Sequence, residues 1–594
     1  MLRNPIYSLV LALLSAVGCS NLDRPTAPNT SFTANPCSIS GTLQLNVAQT
    51  AVADCSNGGT TLTLAGNGAS YVIVAQFAAS LVPNSFVPYH VSSGTAISAS
   101  RVLRSPGVFA SRTGSGISSS SVLPPERPRV KQLAFDRMLR ARALKQFKAG
   151  RWSRSASMSR TLSMSKAQAS VSATTVAAVD SVRNFQVLSN ANGTATATVT
   201  ARLVYSGADV LIYVDTQAPA DGFTSDQLQA FGQLFDQTLY PIDVAAFGPP
   251  SDIDQNGHVI MLMTPVVNAL TTTSDCANGY VAGFFSEDDL GGGSSDPASN
   301  NGEIFYSVVP DPNGTKSCPH TVDDVGFSVP ATFMHELQHL ISFSQHVVVH
   351  GGDPEYGWLD EGLSIVAEEL GSLYYEQKCP GTACRTDPSQ LFPDSSQGFI
   401  SDFLYDSYQY ALLPDTASVT LHTDADGGFS WRGGDWLLMR WLGDQRGSSV
   451  FKQLDENTLT GVANIENVSG HSFPSLFADF GLSLFTDSLV GLPRTTAPIA
   501  DRFATRNMRQ LWNRLYVTSS TSDVPLPLAF PVQLFAITAD TSTAVMDPGT
   551  GSYFRLDTPA NAAAVTIQFS GPGGAALPAA VLPQLSIFRL PPGP

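Results

Sequence analysis

Positive charge is scarce in this chain. Its 33 Lys and Arg stand against 49 Asp and Glu over 594 residues, giving a formal net charge of −16. An acidic chain repels phosphate backbones, so nucleic acid is not an expected partner. Long apolar runs are missing as well. Past the N-terminal segment nothing approaches the ~18 consecutive apolar residues of a membrane-spanning helix. Cysteine is sparse, with seven in the chain. None stand in C-x-x-C pairs, which argues against a structural zinc site built on them. What remains is 43% hydrophobic and 14% charged and rich in Gly, Ser, Thr and Ala, a balance that suits an exported, β-containing protein. The length exceeds what one hydrophobic core supports, so several domains are expected.

Arg3 precedes the apolar run Tyr7–Val17, which is too short for a membrane span and suits a signal peptide. It ends in Ser15-Ala-Val-Gly-Cys19, which resembles a bacterial lipobox with Ala16 where Leu is more usual. Residues 1–19 are therefore expected to be a signal peptide, with Cys19 lipidated, and 20–36 a Pro/Asn/Thr tether. Plain secretion is the alternative. Export would place the other cysteines in an oxidising compartment, where spacing suggests the pairs Cys37–Cys55, Cys276–Cys318 and Cys379–Cys384.

The chemistry is concentrated in His335-Glu336-Leu-Gln-His339. On a helix, positions i and i+4 share a face, so both imidazoles can reach one zinc ion. Glu336, beside the first imidazole, can take a proton from water. Ser328 is a candidate N-cap, Pro330 suits a first-turn position, and Phe333, Leu337 and Leu340 form an apolar stripe. A third ligand six residues after the second would fall on Gln345. His346 arrives one residue late, so His346 and His350 are expected to be solvated loop histidines. The segment Trp358-Leu-Asp-Glu-Gly-Leu-Ser-Ile-Val-Ala-Glu-Glu369 lies far enough on for a return on a second, antiparallel helix. Two His and one Glu leave a fourth zinc position open. Asp360 and Glu368 are candidates for orienting the ligand imidazoles, against the alternative of a solvated helix face.

Glu361-Gly-Leu-Ser-Ile-Val-Ala-Glu368 resembles the E-G-x-[AS]-x-x-x-E segment of the gluzincin metallopeptidases. With Ser251-Asp-Ile-Asp-Gln-Asn-Gly257 and Asn300-Asn-Gly-Glu-Ile-Phe-Tyr306, the chain is more specifically similar to the hyicolysin-type secreted peptidases, over roughly 180–515. The resemblance implies zinc held by His335, His339 and Glu361, with Glu336 as catalytic base. It also implies a strand at Glu303–Tyr306 on the sheet edge that pairs with extended peptide. The Gly-x-Met-Glu-Asn motif of gluzincin aminopeptidases is absent, which favours an endopeptidase. Tyr405, Tyr408, Tyr410 and His422 are candidate donors to a transition-state oxyanion, with packing as the alternative for the tyrosines.

The expected architecture is α+β and multidomain. A gluzincin-like zinc peptidase domain, a β-sheet subdomain plus a helical one, occupies 179–515 between two β-sandwich-like modules, at 37–105 and 516–594. Strands are expected at Thr194–Tyr205, Val210–Asp215 and His258–Met263, and helices at Asp226–Tyr240, Trp436–Leu442 and Ser475–Leu489. Arg440 is expected to be exposed. Residues 106–178 break the acidic pattern. Arg129–Lys148 has helical spacing, with Val130, Leu133, Met138, Ala141 and Leu144 as its apolar residues. It reads as an activation linker, a basic helix on anionic lipid, or a solvated helix in a linker. Asp252, Asp254 and Asn256 resemble the start of a calcium loop, but Met263 stands where its distal Glu belongs. A tight turn is the alternative. Together these features suggest an extracellular zinc endopeptidase acting on proteins or peptides, or a non-catalytic adhesin on a metallopeptidase scaffold.

Overall fold

The computed structural model describes residues 35–80, 86–93, 129–150, 178–291, 299–379, 392, 394–421, 428–492, 502–520, 525–537 and 544–592. Cys19, the tether to residue 34, Cys384 and His422 lie outside them. The described residues form a mixed α+β structure with three sheets. Among them no helix is long and apolar enough to cross a membrane.

Two five-stranded sheets form one sandwich, and both draw on both ends of the chain. Ser70–Phe77 pairs antiparallel with Thr550–Asp557 on one side and with Pro583–Arg589 on the other. Ala564–Ser570 lies between Thr61–Ala65 and Val87–Ser93. The segments expected as two separate sandwich modules are thus halves of one. The reason is visible in Ser70–Phe77, which is buried on both faces and needs a neighbour on each side. The N-terminal segment alone does not supply them. Tyr71, Ile73, Phe569, Leu585 and Ile587 fill its core, and Cys37–Cys55 is a disulfide within it. The sandwich docks on the helix Phe473–Thr486 through Gln76 Nε2, which donates to Phe477 O at 2.7 Å, and the Tyr553 hydroxyl, which donates to Gly481 O at 2.6 Å.

The central sheet has six strands, in the order Gly283–Phe285, Ile304–Ser307, Val259–Met263, Val210–Asp215, Thr196–Ser206, Val182–Leu188. Val259-Ile-Met-Leu-Met263 is wholly buried, as expected of a parallel strand covered on both faces. The expected edge strand at Glu303–Tyr306 sits one place further in. The edge is Gly283–Phe285, antiparallel to Ile304–Ser307, a stretch too short to announce itself by alternation.

The His335 helix runs Val322–Phe343 and the Glu361 helix Gly357–Lys378. They pack antiparallel, since His335 meets Glu368 while His339 meets Asp360. The first begins earlier than Ser328 and Pro330 suggest. Thr321 caps it in a reciprocal box with Asp324, satisfying two end donors at once. Pro330 therefore lies inside the helix, where it gives up one backbone bond. Phe333, Leu337 and Leu340 are buried, as their spacing predicts. In the helical half, Asp394–Leu412 and Phe429–Arg446 pack closely. Gly433 permits this, because a Cβ there would strike the Asp406 backbone. The expected helix at Asp226–Tyr240 is broken in two by a wider turn at Phe235–Leu239.

Candidate metal centre

His335 and His339 bring their Nε2 atoms within 3.1 Å of each other. Glu361, from the facing helix, places Oε2 3.5 Å from the first and Oε1 3.7 Å from the second. Bonds of about 2.0–2.1 Å to a tetrahedral zinc would separate ligand atoms by about 3.3 Å, so the spacing suits a small divalent cation. The hydrogen bonding sharpens the fit. Nδ1 of His335 donates to Glu368 Oε1 and Nδ1 of His339 to Asp360 Oδ2, both at 2.7 Å. With both Nδ1 protons so committed, the two Nε2 lone pairs and the Glu361 carboxylate converge as acceptors in a buried place. Such a set requires a cation or a shared proton. Burial opposes charge on His335, yet its bonds to Glu361 and Glu368 push it up to about 10. His339 is pushed down to about 4 by burial and by Arg140, against Asp360.

Glu336 places a carboxylate oxygen within 4.8 Å of both imidazoles. Its Oε2 accepts from the Phe285 backbone N–H at 3.0 Å. Burial and neighbouring Asp136 push it up to about 8, while Arg140 and His335 pull the other way. Against the cost of burial, Arg432 and then His335 hold Glu361 well below the usual carboxylate range. Arg432 donates to Glu361 Oε2 and is 3% exposed. His335, Glu336, Glu368 and Arg432 line a cleft of ≈ 500 Å³ whose wall includes Tyr280 and His320. The Cys276–Cys318 disulfide stands beside it.

Several expectations change. Tyr408 donates to Leu528 O and accepts from its N–H, and Tyr410 is buried against Phe480 and Gly434. These two are packing residues; Tyr405 is buried near Phe429, and none of the three lines the cleft. His346 is wholly buried, 3.7 Å from Glu355, instead of solvated. Arg440 is buried, not exposed, and bridges Glu369 and Asp444. In the Asp252 turn, Asn256 accepts from His258 N and donates to Asp254, so its side chain is used locally. The third acidic partner comes instead from Glu303, which groups with Asp252 and Asp254 within 4.8 Å. Cys379 is disulfide-bonded. Sequence reasoning missed Arg432, which nothing near it in the chain marks, and read Glu303 only as the start of a strand, not as a partner of the Asp252 turn. It also missed Gln132, Asp136 and Arg140, which lay in plain view on a helix read for its apolar side.

No protein-family model matches the chain. It is 28% identical over 172 residues to the neutral metalloprotease ShpI of Staphylococcus hyicus, a match covering 29% of this chain and 36% of that protein. The similarity therefore spans about a third of that relative's length.

Proposed function

We propose that the protein is an exported zinc endopeptidase of the hyicolysin-like gluzincin type. The observation that carries this reading is the converging acceptor set of His335, His339 and Glu361 with a carboxylate behind each imidazole. Partial similarity to a neutral metalloprotease supports it. His335, His339 and Glu361 would hold zinc, which when bound supplies a Lewis acid that polarises a carbonyl and acidifies water. Glu336 takes a proton from the attacking water and passes it to the leaving nitrogen. Asp360 and Glu368 orient the imidazoles, and Arg432 fixes the Glu361 carboxylate. The edge strand Gly283–Phe285 pairs with the peptide backbone, giving a grip that needs little sequence selection. Cys19 serves as a lipid anchor, and Asp252, Asp254 and Glu303 take calcium, a cation suited to an all-oxygen donor set. The test compares wild type and Glu336→Gln for zinc content and casein cleavage. One zinc in each and at least ~100-fold less cleavage by the variant are expected. Absence of zinc, or cleavage that survives Glu336→Gln, overturns the reading.

A further inference from the structure

The basic helix Arg129–Lys148 is solvated on one face only. Gln132, Asp136 and Arg140, four residues apart, share one face, and that face lies across the metal centre. Gln132 Oε1 accepts from Ala282 N and its Nε2 donates to Gly283 O, each at 2.8 Å. These are main-chain groups at the sheet edge, the kind an extended peptide would pair with. Arg140 bonds Glu287 and brings Nη2 to 3.6 Å from Glu336 and Nε to 3.7 Å from Asp360. Arg142 pairs with Asp288 at 2.5 Å. Leu133, Phe135, Leu139 and Ala143 are buried beneath the helix, with the Phe135 ring 5.1 Å from Phe284. Of the residues expected on its apolar face, Leu133 is buried and Met138 packs against the core, whereas Val130 and Leu144 are 37% and 43% exposed and Ala141 is exposed as well.

The helix also divides the groove. On one side it walls the ≈ 500 Å³ cleft through Gln132, Leu133 and Asp136. On the other it walls a cavity of ≈ 210 Å³ that includes His339 and Asp360. Asp136 is 2% exposed and accepts from Gln132 at 2.8 Å. It stands in the cleft wall with His335 and Glu336. A third buried carboxylate beside Glu336 and Glu361 is repelled by both, and such crowding is tolerated where a cation is shared. His335, Arg140 and Arg432 attract it in turn, so the aspartate faces the cationic side of the cluster.

We propose that this helix is a built-in inhibitor that fills the peptide cleft, with the Asp136 carboxylate taking the metal's remaining position and Arg140 engaging Glu336. The inference rests on the zinc reading above. Peptide and helix compete for the same edge strand and the same coordination position, so the intact chain is open only in the minor fraction of molecules in which the helix is displaced, and its activity is lowered without being abolished.

The test uses the full chain loaded with Co(II) in place of zinc, comparing wild type, Asp136→Asn, Arg140→Gln and, as an exposed control on the same helix, Lys145→Ala. Visible absorption reads the coordination sphere, and calorimetry reads binding of a small peptide hydroxamate. Asp136→Asn is expected to change the spectrum and tighten hydroxamate binding about tenfold or more, because the competent state is no longer masked. Arg140→Gln tightens binding with the wild-type spectrum, and Lys145→Ala changes neither. Thermal unfolding of each variant checks that it is folded, and Arg140→Gln keeps the test decisive should Asp136→Asn not fold. Wild-type spectrum and affinity in Asp136→Asn, with one Co(II) bound, overturn the inhibitor and leave the zinc reading standing. Failure of wild type to bind metal overturns both.

Discussion

Glu368 offers the cleanest measure of how the site is built. Its Oε1 accepts from His335 Nδ1 at 2.7 Å, and the two side chains are only 11% and 7% exposed. A hydrogen bond to a charged partner in such a place contributes about 1.5–3 kcal/mol. Losing the carboxylate behind a ligand imidazole typically weakens metal binding by about 10–100-fold. Glu368→Gln keeps an acceptor oxygen and loses the charge, so zinc affinity should fall about tenfold, or about 1.4 kcal/mol. Glu368→Ala loses both and should approach about 100-fold. Competition with a chromogenic chelator on the full chain at neutral pH reads both values. Asp360→Asn is a poorer probe because Arg140 also approaches Asp360, which mixes ligand orientation with helix release. If both Glu368 variants bind zinc within a factor of about three of wild type, the carboxylate does not set the imidazole, and the geometric argument for the site fails.

Burial pushes Glu303 up to about 8. Its folded state therefore holds the proton more tightly than the unfolded chain, whose carboxyl titrates near 4.5. This stabilising contribution is complete below about pH 4.5 and lost as pH rises towards 8. In calcium-depleted buffer the wild type should accordingly lose more thermal stability between pH 5 and pH 8 than Glu303→Gln. Added calcium should restore the wild type alone, and an equal calcium response in the variant counts against the site. Cys276 and Cys318 close a loop with sequence separation 42. Replacing both by Ser should cost about 4 kcal/mol by loop-closure entropy, read from denaturant unfolding with unchanged slope. Ending the chain after Ser520 removes both neighbours of Ser70–Phe77 and exposes two hydrogen-bonding edges. The product should aggregate or lose protease protection over residues 35–93, and a soluble, protected N-terminal half would refute a shared sandwich.

The grouping of His335, His339 and Glu361 was readable because the relations that produce it are local. An i, i+4 pair is fixed by helix geometry, and Asp360, Glu361 and Glu368 share one helix with a recognisable segment. Arg432 and Glu303 were unreadable because each meets its partners from a distant part of the chain. Alternation identified strands at both ends, but the pattern of Ser70–Phe77 says only that it is buried, not that its neighbours lie more than 470 positions away. The tyrosines show the reverse error. Spacing after the two facing helices made them plausible donors, yet Tyr408 and Tyr410 are turned into the core, where Tyr408 is tied to Leu528.

The helix Arg129–Lys148 shows why its apolar residues alone misplaced it. Periodicity arguments assume that a buried face is an apolar face. That holds when a helix meets a hydrophobic core and fails when it meets a cleft lined by carboxylates. There the residues turned inward are those that answer the cleft's own groups, an amide for the strand edge and a guanidinium for the acids. Buried charges held this way add little net affinity, because removing them from water costs nearly what their attraction returns. The sandwich is held otherwise, by ten strands around an apolar core. The two attachments therefore differ in kind. The sandwich is bound into the fold by backbone ladders, whereas the helix is seated by charge complementarity over a few apolar contacts. An element that must both close a cleft and leave it is better served by the second.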